Sequence, residues 1–141
     1  VSGDFNPIHM DHEYAKTTPF RRPIAHGLLV FAMGSGLGMF CPPMRTVAFL
    51  QVREWNFREP LYVGDTIRLR SKVLEKTIRG RGRRGEIVWY RGVFNQDGKI
   101  VQEGILVTLT EGRGARRGAD GAAAATDAPV VAVPEPHGVT E

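Results

Sequence analysis

The sequence predicts an α+β domain in which an antiparallel sheet packs on one long central helix. The segment from Ala25 to about Phe40 is apolar on nearly every face, which is typical of a helix surrounded by protein. Four segments with strand character follow it, separated by turn residues. A helix followed by consecutive strands favours an antiparallel sheet with the helix against one face.

The residues before the long helix predict a stiff loop and a short helix. Asn6 precedes Pro7, and a proline ring disfavours helical geometry in the residue before it. We therefore expect residues 2–10 to form a shaped loop. Asp11 is a suitable N-cap for a short helix over residues 12–17.

The long helix carries three glycines close together, at residues 34, 36 and 38. Glycine costs a helix interior up to about 1 kcal/mol relative to alanine, so their presence indicates close approach of a sheet or of a ligand. Pro42 and Pro43 end the helix. Because the segment also contains a histidine, we interpret it as a buried core helix and not as a membrane span.

The strand predictions depend on alternation and on turn residues. The second strand alternates apolar residues with basic ones, which is typical of a sheet with one buried face. Asp97 and Gly98 predict a tight turn between the last two strands. The four predicted strands are Thr46–Phe57, Thr66–Leu74, Glu86–Asn95 and Lys99–Thr110.

Charge and composition limit the classes of protein. The formal net charge is +4, but seven arginines lie in two short segments, and without them the charge is −3. The folded body is therefore not a basic surface for nucleic acid. Residues 112–141 lack aromatic side chains and are rich in Gly, Ala, Arg, Pro and Asp, so we expect a disordered tail after a domain of residues 1–111.

The chain has one cysteine, Cys41, which excludes an internal disulfide and fits a reducing compartment. The simplest prediction for location is the cytoplasm, with no association with a membrane. The sequence shows no cluster of His, Cys, Asp and Glu at ligand spacing, so we expect no metal site.

The chemistry is predicted at the start of the chain, where Asp4 and His9 are five residues apart in the proline-stiffened segment. This spacing lets a carboxylate and an imidazole converge on one small molecule such as water. From the residues alone, an alternative interpretation stays open, in which Asp4 caps a turn and His9 is a structural histidine. His26, at the start of the long helix, is interpreted as structural.

A family resemblance sharpens this interpretation. The octapeptide Ser2–His9, followed by Ala15 and by Ala25-His26-Gly27, resembles the signature of MaoC-like hydratases and dehydratases, the (R)-specific enoyl-CoA hydratase 2 group. Residues 58–60 and 63–65 resemble a strand entry common in that family. The resemblance extends from residue 1 to about residue 110 and implies the hot-dog fold. Family members usually carry a helix and a strand before this motif, so we expect the domain to lack them.

The resemblance also implies roles for individual residues. Asp4 and His9 would be the catalytic pair, and Gly27 would offer its backbone N–H to the thioester oxygen. An N–H at a helix start adds the positive helix end to this hydrogen bond. Asn6 would orient the site or only stabilise its loop, and Ser35 would lie beside the acyl group or serve only as a small packing residue.

The implied reaction is reversible syn addition of water to a trans-2-enoyl thioester, which gives an (R)-3-hydroxyacyl thioester. The expected substrate is an acyl-CoA or an acyl-carrier-protein thioester, with no separate cofactor. The expected assembly is a homodimer, or a heterodimer with another hot-dog subunit. The arginines at 79–84 predict a solvated hairpin or a contact with coenzyme A phosphates. Two alternatives are a hot-dog acyl-CoA thioesterase and a non-catalytic hot-dog partner.

Overall fold

The computed structural model describes residues 2–39 and 42–112. Cys41, Phe40 and nearly all of the predicted tail lie outside the described residues. Three helices precede four strands, and a single turn of 3₁₀ helix connects the second and third strands. The elements are α1 Pro7–Met10, α2 His12–Lys16, α3 Gly27–Leu37, β1 Thr46–Phe57, β2 Arg68–Arg79, β3 Arg84–Phe94 and β4 Ile100–Glu111.

The four strands form one antiparallel sheet in the order β1-β4-β3-β2, which confirms the predicted antiparallel run. The first strand has the predicted bounds. The second strand is longer than predicted, because it continues past Leu74 to Arg79. Its register shifts between Val73 and Glu75, and this irregularity breaks the alternation on which the prediction depended.

The turns between strands follow the sequence signals. Gly98 has a φ of +78°, and the side chain of Asn95 accepts hydrogen bonds from the backbone N–H groups of Asp97 and Lys99. The arginine-rich segment forms the predicted hairpin, in which Arg79 pairs with Glu86 at 3.1 Å. These turns fix the register of β2, β3 and β4 relative to one another.

Helix α3 is shorter than the long helix that the sequence predicts. It has 11 residues and begins at Gly27, because Ile24 and Ala25 are in an extended segment. Ala25 donates a hydrogen bond to the carbonyl of Leu61 at 2.7 Å, and Ile24 forms an antiparallel bridge with Tyr62. Among residues 2–39 and 42–112, no helix is long and apolar enough to cross a membrane.

One face of α3 packs on the sheet, as the glycines predict. Val30 is buried in a cluster with Leu61, Val93 and Val101. A Cβ atom at residue 34 would lie 3.1 Å from Val93, so the glycine permits close approach of the helix. The expectation that protein surrounds the helix is wrong for this chain by itself, because two large apolar side chains of α3 are more than half exposed. These are Leu28 and Met33.

The predicted loop over residues 2–10 is wrong at its end, where Pro7–Met10 form the single helical turn α1. Proline disfavours helical geometry in the residue before it, but proline itself is well suited to the first position of a helix. Asn6 caps this turn, since its Oδ1 accepts a hydrogen bond from the N–H of Ile8 at 3.1 Å. Asp11 caps α2, as predicted.

Candidate active site

The carboxylate of Asp4 is held by the turn in which it lies. Its Oδ1 accepts a hydrogen bond from the backbone N–H of Asn6 at 2.9 Å. Its own N–H donates to the hydroxyl of Ser2 at 3.2 Å, and Gly3 has a positive φ of 73° that closes this turn. Its Oδ2 is thereby left to face the two imidazoles of His9 and His26.

The imidazole of His9 is fixed in one orientation. Its Nδ1 lies 2.8 Å from the carbonyl oxygen of Ile24. Because a carbonyl only accepts, Nδ1 carries the proton of the neutral ring, and Nε2 presents its lone pair. Nε2 lies 3.7 Å from Oδ2 of Asp4, too far for a direct hydrogen bond. Two acceptors at this separation are suited to sharing one donor molecule such as water.

The segment that leads into α3 is tied to both neighbouring parts of the chain. The N–H of Ile24 donates to the carbonyl of Ile8 at 3.2 Å, and the carbonyl of Ile24 accepts from His9. The N–H of Ala25 donates to Leu61. These bonds hold the helical turn that carries His9 against the start of α3.

Gly27 is the first residue of α3, so its N–H lacks a partner within the helix. Its carbonyl accepts a hydrogen bond from Nε2 of Gln102 at 2.9 Å, and Oε1 of Gln102 accepts from the indole N–H of Trp55 at 3.0 Å. A Cβ atom at residue 27 would lie 2.7 Å from the ring of Phe57. The helix start is thus fixed by β1 and β4, and the glycine leaves room for an aromatic ring.

His26 belongs to the same cluster, although the sequence interpretation gave it a structural role. Its Nε2 lies 3.4 Å from Oδ2 of Asp4. Its ring is perpendicular to that of His9, with the ring centroids 5.4 Å apart. The position of His26 directly before Gly27 was the available signal, since a residue at that place must lie near any ligand of the Gly27 N–H.

The other predicted site residues have different positions. Asn6 stabilises the loop with two hydrogen bonds. Its Oδ1 accepts from the N–H of Ile8 and so caps α1, and its backbone N–H donates to the carboxylate of Asp4. Ser35 is half-buried on α3, and its backbone lies about 12 Å along the helix axis from Gly27. In the described part of the chain Ser35 forms no hydrogen bond with Asp4 or His9. The structure therefore brings together Asp4, Asn6, His9 and the start of α3 at Gly27, and the role of Ser35 stays a prediction.

Two groups with shifted pKa values lie on β3. Burial, together with a 2.6 Å hydrogen bond to Glu103, raises the pKa of Tyr90 to about 12. Burial lowers the pKa of Arg91, whose Nε has no hydrogen-bond partner among the described residues. Within residues 2–39 and 42–112, no group of three or more His, Cys, Asp or Glu side chains is arranged to hold a metal ion.

Comparison with known proteins identifies the family of this chain. The family described as "MaoC like domain" matches residues 1–88, and the chain belongs to this family. An (R)-specific enoyl-CoA hydratase of Rhodospirillum rubrum is 31% identical over 115 residues, which cover 81% of this chain and 75% of the relative. An (R)-specific enoyl-CoA hydratase of Aeromonas caviae is 41% identical over 68 residues, 48% of this chain. The match spans only 49% of the Aeromonas enzyme.

Solved structures show the same fold. The (R)-hydratase of Aeromonas caviae superposes with a TM-score of 0.62 and 31% identity, over 74% of this chain and 76% of that one. A Mycobacterium tuberculosis protein described as a double hot-dog fold gives a TM-score of 0.65, over 81% of this chain and 35% of that one. At 20% identity the latter bears only on the fold. The domain therefore has the predicted hot-dog fold, with a shorter central helix.

Proposed function

We propose that this protein catalyses the reversible addition of water to trans-2-enoyl thioesters, which gives (R)-3-hydroxyacyl thioesters. One observation carries the proposal: Oδ2 of Asp4 and Nε2 of His9 face each other at 3.7 Å beside the start of α3. Two proton acceptors lie there next to unpaired helix N–H groups. The names of the Rhodospirillum and Aeromonas relatives support this choice of reaction.

In the proposed mechanism, a water molecule lies between Asp4 and His9 and donates a hydrogen bond to each. Nε2 of His9 accepts a proton as the water oxygen forms a bond to Cβ of the substrate. The electrons of the double bond move onto the thioester oxygen, where the N–H of Gly27 and the positive end of α3 stabilise the negative charge. The carbonyl then re-forms as the same pair delivers a proton to Cα on the same side of the substrate. The net change is addition of H and OH.

The remaining predicted residues have supporting roles in this proposal. Asn6 orients the site, because its backbone N–H fixes the Asp4 carboxylate. Ser35, two turns along α3 from Gly27, lies beside the acyl chain. Coenzyme A is the proposed carrier, since the relatives are named as enoyl-CoA hydratases. An acyl-carrier protein presents the same kind of thioester, and a comparison of kcat/KM for the two carriers distinguishes them.

We also propose that the protein is a dimer of hot-dog domains, with residues 1–111 as the functional unit. The apolar side chains that this chain leaves exposed on α3 and β1 support association with a second hot-dog domain. They include Leu28, Met33 and Leu37 on α3, and Val47, Phe49 and Leu50 on β1. Light scattering after size-exclusion chromatography tests this, and a monomer at micromolar concentration would contradict it. A cytoplasmic location remains a proposal based on the single cysteine.

The decisive experiment compares the wild-type protein with Asp4→Asn on crotonyl-CoA and longer enoyl-CoA substrates. Loss of the enoyl absorbance and chiral analysis of the product measure hydration, and a thiol reagent measures free CoA. We expect wild-type hydration to the (R)-product, and a loss of about 10²-fold or more in Asp4→Asn. Asparagine retains the oxygen that accepts from Asn6, so the variant should fold. Release of CoA without hydration would indicate a thioesterase, and an inactive, folded dimer would indicate a non-catalytic partner.

A further inference from the structure

The structure contains a second histidine at the proposed hydration site, and its contact with Asp4 is shorter than that of His9. We propose that His26 is a positioning residue whose protonated Nε2 faces Oδ2 of Asp4 and holds this oxygen by electrostatic attraction. This inference depends on the proposed hydration reaction for its kinetic consequence. Nε2 of His26 is 3.4 Å from Oδ2 of Asp4, whereas Nε2 of His9 is 3.7 Å from the same oxygen.

The contacts of Asp4 show what His26 adds. Oδ1 is held by the N–H of Asn6, but that single bond leaves the carboxylate free to rotate about it. An N–H group that faces Oδ2 at 3.4 Å attracts the second oxygen and so restrains the plane of the carboxylate. Among the described residues, His26 is the group placed to donate to Oδ2, because Nε2 of His9 presents a lone pair when His9 is neutral.

The surroundings of the His26 ring select the required tautomer. Its Nδ1 is buried and has no hydrogen-bond partner in the described part of the chain. A proton on Nδ1 would be a buried donor without an acceptor, which is unfavourable, so the proton belongs on Nε2. His9 has the opposite tautomer, because its Nδ1 donates to Ile24. Two imidazoles thus face one oxygen, one as donor and one as acceptor.

The ring of His26 does not serve as an ordinary helix cap. His26 occupies the N-cap of α3, but its side chain makes no capping hydrogen bond. A serine or aspartate at this place would bind the N–H groups of the first turn. The histidine instead directs its ring towards Asp4 and His9 and leaves that turn open to a substrate. Since Gly27 is the next residue, the same backbone sets the positions of the carboxylate and the oxyanion donor relative to each other.

Two substitutions of His26 test this role. His26→Leu has similar bulk but no donor, whereas the amide of His26→Gln reaches the place of Nε2. With crotonyl-CoA, we expect His26→Leu to lower kcat about tenfold or more with little change in KM, and His26→Gln to recover most of the loss. In Asp4→Asn, adding His26→Leu should cost little more, because His26 acts through Asp4.

Equal losses in the two variants, or kcat of folded His26→Leu within about twofold of the wild type, would overturn the proposal. A fully additive double variant would overturn it as well. ¹⁵N-histidine NMR of the unaltered protein is independent of both variant folding and turnover. It should show a proton on Nε2 of His26 and on Nδ1 of His9, and a proton on Nδ1 of neutral His26 would contradict the inference. Absence of wild-type hydration, with these tautomers present, would instead refute the proposed function.

Discussion

The N-terminal segment, residues 2–26, and the central strands β3 and β4 are held by different forces. In the strands, side chains such as Trp89, Val93 and Leu106 are almost fully buried. In the N-terminal segment, Asp4 and Asn6 are exposed, and their order comes from hydrogen bonds to neighbouring backbone groups. Burial stabilises the sheet, whereas local polar contacts shape the site.

From this difference we expect the proposed catalysis and the stability of the fold to depend on different parts of the molecule. A substitution in the N-terminal segment removes few apolar contacts, so it should change turnover more than unfolding. A substitution in β4 should do the reverse. Gln102 is the exception, because it joins the sheet to the carbonyl of Gly27.

The largest expected effect is the loss of turnover in His9→Asn. The asparagine amide can still donate to the carbonyl of Ile24, but the lone pair of Nε2 is removed. We expect kcat for enoyl-CoA hydration to fall about 10²- to 10⁴-fold while the unfolding temperature changes little. The matched control is His12→Asn, at an exposed histidine of α2, which should keep wild-type kcat. A variant of His9 that unfolds in parallel with its loss of activity would contradict the separation.

Next in size is the loss of stability in Gly104→Ala. A Cβ atom at residue 104 would collide with the backbone carbonyl of Glu54 and lie 2.7 Å from the ring of Trp55. Overpacking of this kind should lower the free energy of unfolding by about 3 kcal/mol, measured by urea denaturation. The control is Gly85→Ala, where the nearest atom, Oγ1 of Thr110, would be 3.6 Å away. Equal stability of the two variants would show that β1 and β4 separate readily.

A smaller and mixed effect is expected for Gln102→Met, which breaks the connection between the two regions. The variant loses the bond to Gly27 and leaves the indole N–H of Trp55 without its acceptor. The free energy of unfolding should fall by about 1–2 kcal/mol, and kcat should fall as well because the helix start is less firmly held. Gln96→Met also removes two side-chain hydrogen bonds, but neither of them is to α3 or to Trp55, so kcat should be unchanged. A Gln102→Met enzyme with normal kcat would show that this connection is only structural.

The smallest effect is expected for Glu103→Gln, which should change the titration of Tyr90 and leave turnover unaffected. The pKa of Tyr90 is raised to about 12, by burial and then by Glu103, above the usual value of 10.0. A raised folded-state pKa adds stability that is fully present below pH 10.0 and is lost as the pH rises through about 12. In Glu103→Gln, the pKa of Tyr90 should fall towards its usual range in a phenolate absorbance titration. An unchanged titration would mean that burial alone sets the shift.

The sequence predicted those features that local residues determine. The bounds of β1, the cap at Asp11 and the turn at Gly98 follow from alternation, a capping side chain and a glycine with positive φ. Asp4 and His9 were found because one short motif contains both. The structure places these two side chains 3.7 Å apart, and the catalytic roles of Asp4, His9 and Gly27 stay predictions until turnover is measured.

Long-range contacts explain what the sequence could not predict. Helix α3 starts late because Ala25 is hydrogen-bonded to Leu61, more than thirty residues away. Gln102 gave no signal as a support of Gly27, since the two are 75 residues apart. His26 was set aside because a histidine at a helix start is commonly structural, and only the fold shows that its ring meets Asp4.

The hydrogen bond between His9 and Ile24 has a consequence for the path of the proton. Because Nδ1 donates its proton to the carbonyl of Ile24, the ring of His9 cannot accept a proton at one nitrogen and release one at the other. In the proposed reaction, a proton that Nε2 takes from water must therefore leave from Nε2, on the side where the substrate would bind. The ring of His9 would then hold one proton and return it to the acyl chain of the substrate, and the proton would not pass into the protein interior.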